Sequence, residues 1–178
     1  MDRLRHIPVF ISTQTTALLM GKTARTVQNW IEAGTIQGKP LDTTHLPGGR
    51  RWQINLFDIE SYICIPLNQE LVDWIQQADT GDAKALKLVG IAFSAEQHHA
   101  IAVPWIEAAA KKGEVDAMDL LSWYYLNGAG VAQDHSIAMQ WLAKAAKHGL
   151  PTAKVKLQKL GFDVGPIHLD GGTAISPR

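Results

Sequence analysis

One spacing that occurs twice constrains this chain more than anything else in it. "AVPWIEAAAKKGEVDA" (Ala102 to Ala117) overlays "AMQWLAKAAKHGLPTA" (Ala138 to Ala153) at a constant offset of 36, matching Ala102/Ala138, Trp105/Trp141, Ala109/Ala145, Ala110/Ala146, Gly113/Gly149 and Ala117/Ala153. Self-similarity at a period of about 20 to 50 residues marks stacked supersecondary units, each too small to bury its own apolar face. The residues describe the unit. Ala117, Leu121, Tyr124 and Tyr125 recur at helical spacing, "NGAGV" breaks the helix, and Asp134 is placed to cap the next one, "SIAMQWLAKAAKHG". Ala138, Ala145 and Ala146 are small enough for close backbone approach, Trp141 fills the space between hairpins, and Gly149 with Pro151 ends one helix and opens another. The unit predicted is a helical hairpin.

The residues before Pro66 follow a different grammar. "FISTQTTALLMGKTARTVQNWIEAGTI" reads as two short helices about a tight turn. Ser12 or Thr13 caps the first helix, Ala17, Leu18 and Leu19 give it an apolar side, Gly21 stops it and Thr23 caps the second. Val27, Trp30 and Ile31, at i, i+3, i+4, must face inward, which leaves Arg25, Gln28, Asn29 and Glu32 outward. "GKPLDTTHLPGGRRWQINLFDIESYI" then predicts two extended segments about a Pro-Gly-Gly turn, with alternation at Trp52, Ile54 and Leu56, and a short closing helix begun by Asp58. Asn68 can cap the helix after Pro66, so the boundary falls near residues 64 to 68.

Charge divides the same way. The net charge is zero, yet residues 1 to 56 hold seven Lys/Arg against three acids, while residues 67 to 178 hold ten against twelve. Such an asymmetry suggests two parts with different partners. At 46% apolar and 19% charged residues the composition is that of a soluble globular protein. The sequence offers neither a membrane-length apolar run nor a secretory signal, so a cytoplasmic location with no membrane partner is expected. Cys64, the one cysteine, reads within "YICIP" as a buried apolar position rather than an activated thiol.

"AMDLLSWYYLNGAGVAQDHSIAMQWLAKAAKHG" resembles a Sel-one-like repeat, the tetratricopeptide-related hairpin with G-x-G-V, aspartate, then A-x-x-W-x-x-K-A-A-x-x-G; Ser122 stands where that family usually has glycine. The earlier copy keeps Val89-Gly90, Phe93, Ala102, Trp105 and Ala109-Ala110, but lacks the G-x-G-V turn and is four residues shorter there. With half-repeats at either end, the resemblance covers about Leu71 to Phe162. It implies a stack that binds proteins through its inner surface. The Phe10 to Ile63 stretch resembles the excisionase and MerR-type winged helix-turn-helix. Gly21 and Thr23, Thr26-Val27, Trp30-Ile31, Gly34, Ile36, Arg50-Arg51, Asp58 and Tyr62-Ile63 carry that pattern, which implies double-stranded DNA as a partner.

The chemistry of DNA recognition fits these residues: Arg25, Gln28 and Asn29 present the donors and acceptors that read base edges, and Arg50 with Arg51 supplies cations for the adjacent groove. Lys22, Thr23 and Thr26 complete the candidate DNA-binding set. The expected fold is mostly α: a small winged helix-turn-helix domain (1–66) with a β-hairpin wing, a short α-solenoid (67–162) and a flexible tail (163–178). The function expected is a DNA-binding regulator or accessory factor whose repeats recruit or sense a protein. The alternative is an interaction adaptor whose winged domain never touches DNA, and self-association through the repeats stays open. No Walker loop, Gly-x-Ser-x-Gly, H-E-x-x-H or Cys-x-x-Cys is present, so no enzyme, cofactor or metal is expected. His98-His99 reads as a surface or turn pair, because adjacent residues point to different faces of a helix and only Glu96 is near at ligand spacing. Trp105, Trp141, Tyr124 and Tyr125 read as core.

Overall fold

A computed structural model describes residues 7–41 and 51–162. Pro47 to Arg50 of the expected wing turn, and the whole of 163–178, lie outside the described residues. The elements run β1 (Phe10–Ser12), α1 (Thr13–Leu19), α2 (Ala24–Glu32), β2 (Lys39–Leu41), β3 (Arg51–Asn55), a 3-10 helix (Leu56–Tyr62), α3 (Gln69–Asp79), α4 (Ala83–Ala95), α5 (His99–Lys111), α6 (Val115–Asn127), α7 (His135–Lys147) and α8 (Pro151–Lys159). The architecture is mostly helical with one small antiparallel sheet.

The repeat is visible in the element bounds. α5 and α7 superpose in sequence at an offset of 36, whereas α4 and α6 do so at 32, because the connection inside the first hairpin is four residues shorter. That first connection, Glu96 to His98, reverses the chain with Gln97 in the left-handed region at φ 63°. The second, Gly128 to Asp134, uses glycines at φ 64° and 72° instead. Gly130 is required for a further reason: a Cβ there would meet the His99 carbonyl carbon at 2.4 Å, so this loop lies directly on the start of α5. The side-chain oxygens of Asn68, Asp82 and Asp134 accept the backbone N–H of Leu71, Ala85 and Ile137. Each closes one of the open donors of a helix start.

Within each hairpin, small residues set the spacing. Ala102, Ala109, Ala110, Ala138, Ala145 and Ala146 are all buried, and a Cβ on Gly90 would stand 2.7 Å from Ile106, so α4 and α5 touch almost backbone to side chain there. Buried Ser122 takes the equivalent place in the second hairpin. Trp105 is fully buried while Trp141 is only half-buried, so the two matched tryptophans have different surroundings.

The first sixty residues form the sheet and two helices. β3 is central, in the order β1-β3-β2 and antiparallel to both neighbours, with Ile11 opposite Ile54 and Pro40 opposite Trp52. β2 and β3 pair antiparallel where the sequence predicted two extended segments. β1 is not foreseen by the sequence reading, which opens the first helix at a cap on Ser12 or Thr13 and assigns no strand before it. Ser12 ends that strand and caps α1 through its Oγ, and the Thr23 side chain caps α2. Val27 and Ile31 are buried, and half-buried Trp30 packs against the Tyr62 ring, tilted by 42° with centroids 5.6 Å apart.

Two expectations are corrected here. The closing helix opens at Leu56, not at Asp58, and is a 3-10 helix; its buried residues Leu56 and Ile59 are three apart, the period of that tighter winding. Asp58 lies in its first turn and accepts from Asn55 Nδ2 at 3.0 Å. Cys64 is exposed rather than buried. Ile63 is extended and the chain bends at Cys64 and Ile65, so that Ile63 and Ile65 are buried while Cys64 between them faces out.

The sheet and the repeats pack against each other. The Ser12 N–H donates to Asp79 Oδ1 at the end of α3 (3.0 Å), and Ile101 of α5 lies where a Cβ on Gly21 would meet it at 3.2 Å. Buried apolar residues from both parts, Ile11, Leu19 and Ile54 with Ile75, Val89 and Trp105, belong to one core cluster.

Candidate functional site

Helix α2 is amphipathic enough to fix its own orientation: Val27 and Ile31 point inward, so Arg25, Gln28 and Asn29 are exposed. The expected DNA-binding residues divide between the two flanks of this helix. On one flank, Ala24 and Gln28 line an open groove of about 420 Å³ together with Arg51, Trp52 and Gln53 of β3, so helix and strand do share a surface. Asp79 lines the same groove, and a carboxylate there opposes a phosphate. On the other flank, Lys22, Thr23 and Thr26 line a groove of about 350 Å³ whose opposite wall is Ala100, Ile101 and Pro104 of α5. The Thr23 and Thr26 hydroxyls lie 2.9 Å apart, and Thr23 Oγ1 also accepts the Thr26 N–H. Both hydroxyls therefore serve the helix cap. Arg25 and Asn29 line neither groove, and Arg50 lies outside the described residues.

The repeats carry a second candidate surface that sequence reasoning missed. Ile91 on α4 and Trp123 on α6 occupy equivalent positions at the offset of 32, and both are exposed, by 41% and 46%. The charges on these first helices answer one another. Lys87 binds Glu114 and, at 2.7 Å, Asp116; Lys156 of α8 grips both oxygens of Asp119 at 2.7 Å. Burial alone would lower the Lys87 pKa, but the hydrogen bonds it donates to Asp116 and Glu114, with the negative charge of both, outweigh it and hold the ammonium above its ordinary value. Trp123 meets the His99 and Tyr124 rings edge-on at 6.2 and 5.2 Å. The signal in sequence was phase: Leu121 and Tyr124 mark the buried side of α6, and Trp123 falls off it.

The remaining candidates are structural. His99 Nδ1 lies 3.1 Å from Ser94 Oγ, tying the end of α4 to the start of α5, and among the described residues no group of three His, Cys, Asp or Glu could hold a metal. His98 and His99 are half-buried rather than on the open surface. Trp105 and Tyr124 are core, as expected, whereas Tyr125 and Trp141 are half-buried. Burial raises the Tyr124 pKa, offset in part by its hydrogen bond with Ser94. Packing pushes the Cys64 thiol up, the opposite of activation. Among the described residues no helix is long and apolar enough to cross a membrane.

No family model and no curated protein matches the chain. Solved structures do. A protective antigen of uropathogenic Escherichia coli strains that displays an SLR fold is similar over 52% of this chain and 21% of its own, at 36% identity and a TM-score of 0.48. A Sel1 repeat protein from Oxalobacter formigenes is similar over 52% of this chain and 40% of its own, at 23% identity and the same TM-score, 0.48. The likeness thus covers about half of this chain, and this chain spans less than half of either neighbour.

Proposed function

We propose that the chain is a non-catalytic interaction adaptor of the Sel-one-like repeat type, which holds a protein partner on the face formed by α4, α6 and α8. The observation that carries this reading is the paired exposure of Ile91 and Trp123. Single exposed apolar residues are ordinary on protein surfaces, but recurrence of a large one at the equivalent position of both hairpins is not scatter. With Lys87 bound to Glu114 and Asp116 one turn before Ile91, and Asp119 bound to Lys156 one turn before Trp123, the charges next to the two apolar residues are committed to each other. Tryptophan in such a setting is a frequent hot spot. The test is site-specific photo-cross-linking in extracts of the native host with the reactive group at position 123 or 91. One defined protein product is expected from both positions and none from Ala143 on α7; equal products from all three positions, or none from 123 and 91, would contradict the reading.

A second reading has its own observation. Gln28 of α2 and Arg51 of β3 line one groove, with Arg25 and Asn29 exposed beside it, which supports a winged helix-turn-helix that holds DNA as well. Asp79 in that groove and the mutual bond of Thr23 and Thr26 weigh against it. Each phosphate neutralised adds about −0.9 to the log-log salt slope, so retention on DNA at low salt is the sensitive condition. DNA held by the wild type and released by Arg25→Ala with Arg51→Ala supports this reading; equal retention, or none by either protein, removes it.

A further inference from the structure

A third surface lies at the far ends of the second helices. Between the last turn of α5, the start of α6 and the outer side of α7 runs an open cleft of about 460 Å³. Lys111, Lys112, Lys144 and His148 line it, and no carboxylate among the described residues does; the Lys112 ammonium rests against the Gly81 turn, 3.0 Å from where a Cβ there would stand, and reaches the cleft by rotation of its side chain. Its floor is apolar: Met118 is buried, and Trp141 presents the indole that its matched partner Trp105 keeps wholly inside. The Lys144 ammonium sits over that indole, 4.1 Å from the ring centre. Lys111 is paired with Glu107, whereas Lys112 and Lys144 have no carboxylate at ion-pair distance among the described residues. Glu114 and Asp116, the acids closest in sequence to Lys112, are held by Lys87.

Lysines in the last turn of a helix complement its dipole, and that alone would explain their presence at the ends of α5 and α7. It does not explain an apolar cleft between them. We propose that this cleft docks an acidic polypeptide segment bearing one bulky apolar side chain, the carboxylates meeting Lys112 and Lys144 and the apolar group resting on Met118 and Trp141. The cleft volume falls within the range of about 300 to 1,000 Å³ that takes a ligand body, and cations around an apolar floor match that mixed chemistry. A duplex would engage the cations alone, because its breadth keeps its bases off a recessed floor. This inference rests on the adaptor reading and adds to it a second docking surface, on the opposite helices of the hairpins, with a partner chemistry.

The test is fluorescence anisotropy of the full chain with a labelled peptide of six glutamates interrupted by one leucine. Comparators are the same peptide with glutamines for glutamates, the same with alanine for leucine, and oligothymidine of equal charge. Lys112→Gln with Lys144→Gln is expected to weaken the glutamate-leucine peptide about tenfold, while Lys154→Gln with Lys159→Gln on α8, an equal loss of charge, changes it less than about twofold. Unchanged circular dichroism shows that both variants fold. The proposal is overturned by any of four results: no binding by the wild type, equal loss in both double variants, binding of the glutamine or alanine peptide as tight as the parent, or oligothymidine binding more tightly and being lost with Lys112 and Lys144. Trp123→Ala should leave this binding intact. Since purified protein and synthetic peptides are used, its failure is read separately from the cross-linking at position 123.

Discussion

Trp105 shows how much a single residue can be asked to do. Its ring is fully buried, yet among the described residues nothing accepts from its Nε1, so packing holds it against the cost of an unmade hydrogen bond. Trp105→Phe, which deletes that polar group, should cost less than about 1.5 kcal/mol in urea unfolding, against about 3 to 5 kcal/mol for Trp105→Ala. A cost for phenylalanine as large as that for alanine would mean the indole nitrogen is satisfied after all. Glycines give a second comparison at this scale. Gly130→Ala meets backbone of His99 at 2.4 Å, whereas Gly149→Ala, at φ 92°, meets nothing within 4 Å. Both pay for a left-handed backbone, about 1 to 2 kcal/mol, but only Gly130→Ala must also move α5, so it should be the worse by at least about 1 kcal/mol in the same measurement. The core positions Val27, Ile31, Leu121 and Tyr124 were legible in the sequence because helical period forces them inward. Cys64 was not, because hydropathy marks a residue as apolar without saying which way it faces where the chain bends.

Between elements, the bridge from α4 to the start of α6 is the feature that titration can probe. The Lys87 pKa is raised in the folded chain, so its stabilisation is complete below the unfolded value of 10.5 and fades as pH climbs through the higher folded value. Lys87→Met should therefore lower stability by about 1 to 2 kcal/mol at neutral pH, a moderate figure because Asp116 is largely open to solvent. The gap between variant and wild type should close in alkali. Chemical denaturation at pH 7 and above pH 10.5 measures both, and a gap that stays the same on the alkaline side would show that Lys87 acts through packing. The hairpins were readable from the offset of 36 and from caps such as Asn68 and Asp134, since helix signals are local. Strand β1 was hidden for the converse reason. "FIS" is too short to carry a period, and its pairing with β3 joins residues that lie far apart in sequence.

For the molecule as a whole, the two grammars of the sequence become one packed body rather than two independent beads, joined through Ser12 with Asp79 and Gly21 with Ile101. This joint shapes both grooves beside α2, because it brings Asp79 to one and Ile101 to the other. So short a repeat stack called for support from the first part, but the residues that make the joint were not legible locally. Residues about 70 apart meet only after folding, which is why the candidate DNA surface looked unbroken when read along the chain. The first-helix face is the reverse case: Trp123 needed only its phase to be noticed. The most direct test is amide hydrogen exchange of the chain, free and bound to the protein captured through position 123. The adaptor account predicts slowed exchange in α4, α6 and α8 with α2 and β3 unchanged; protection confined to α2 and β3 would contradict it.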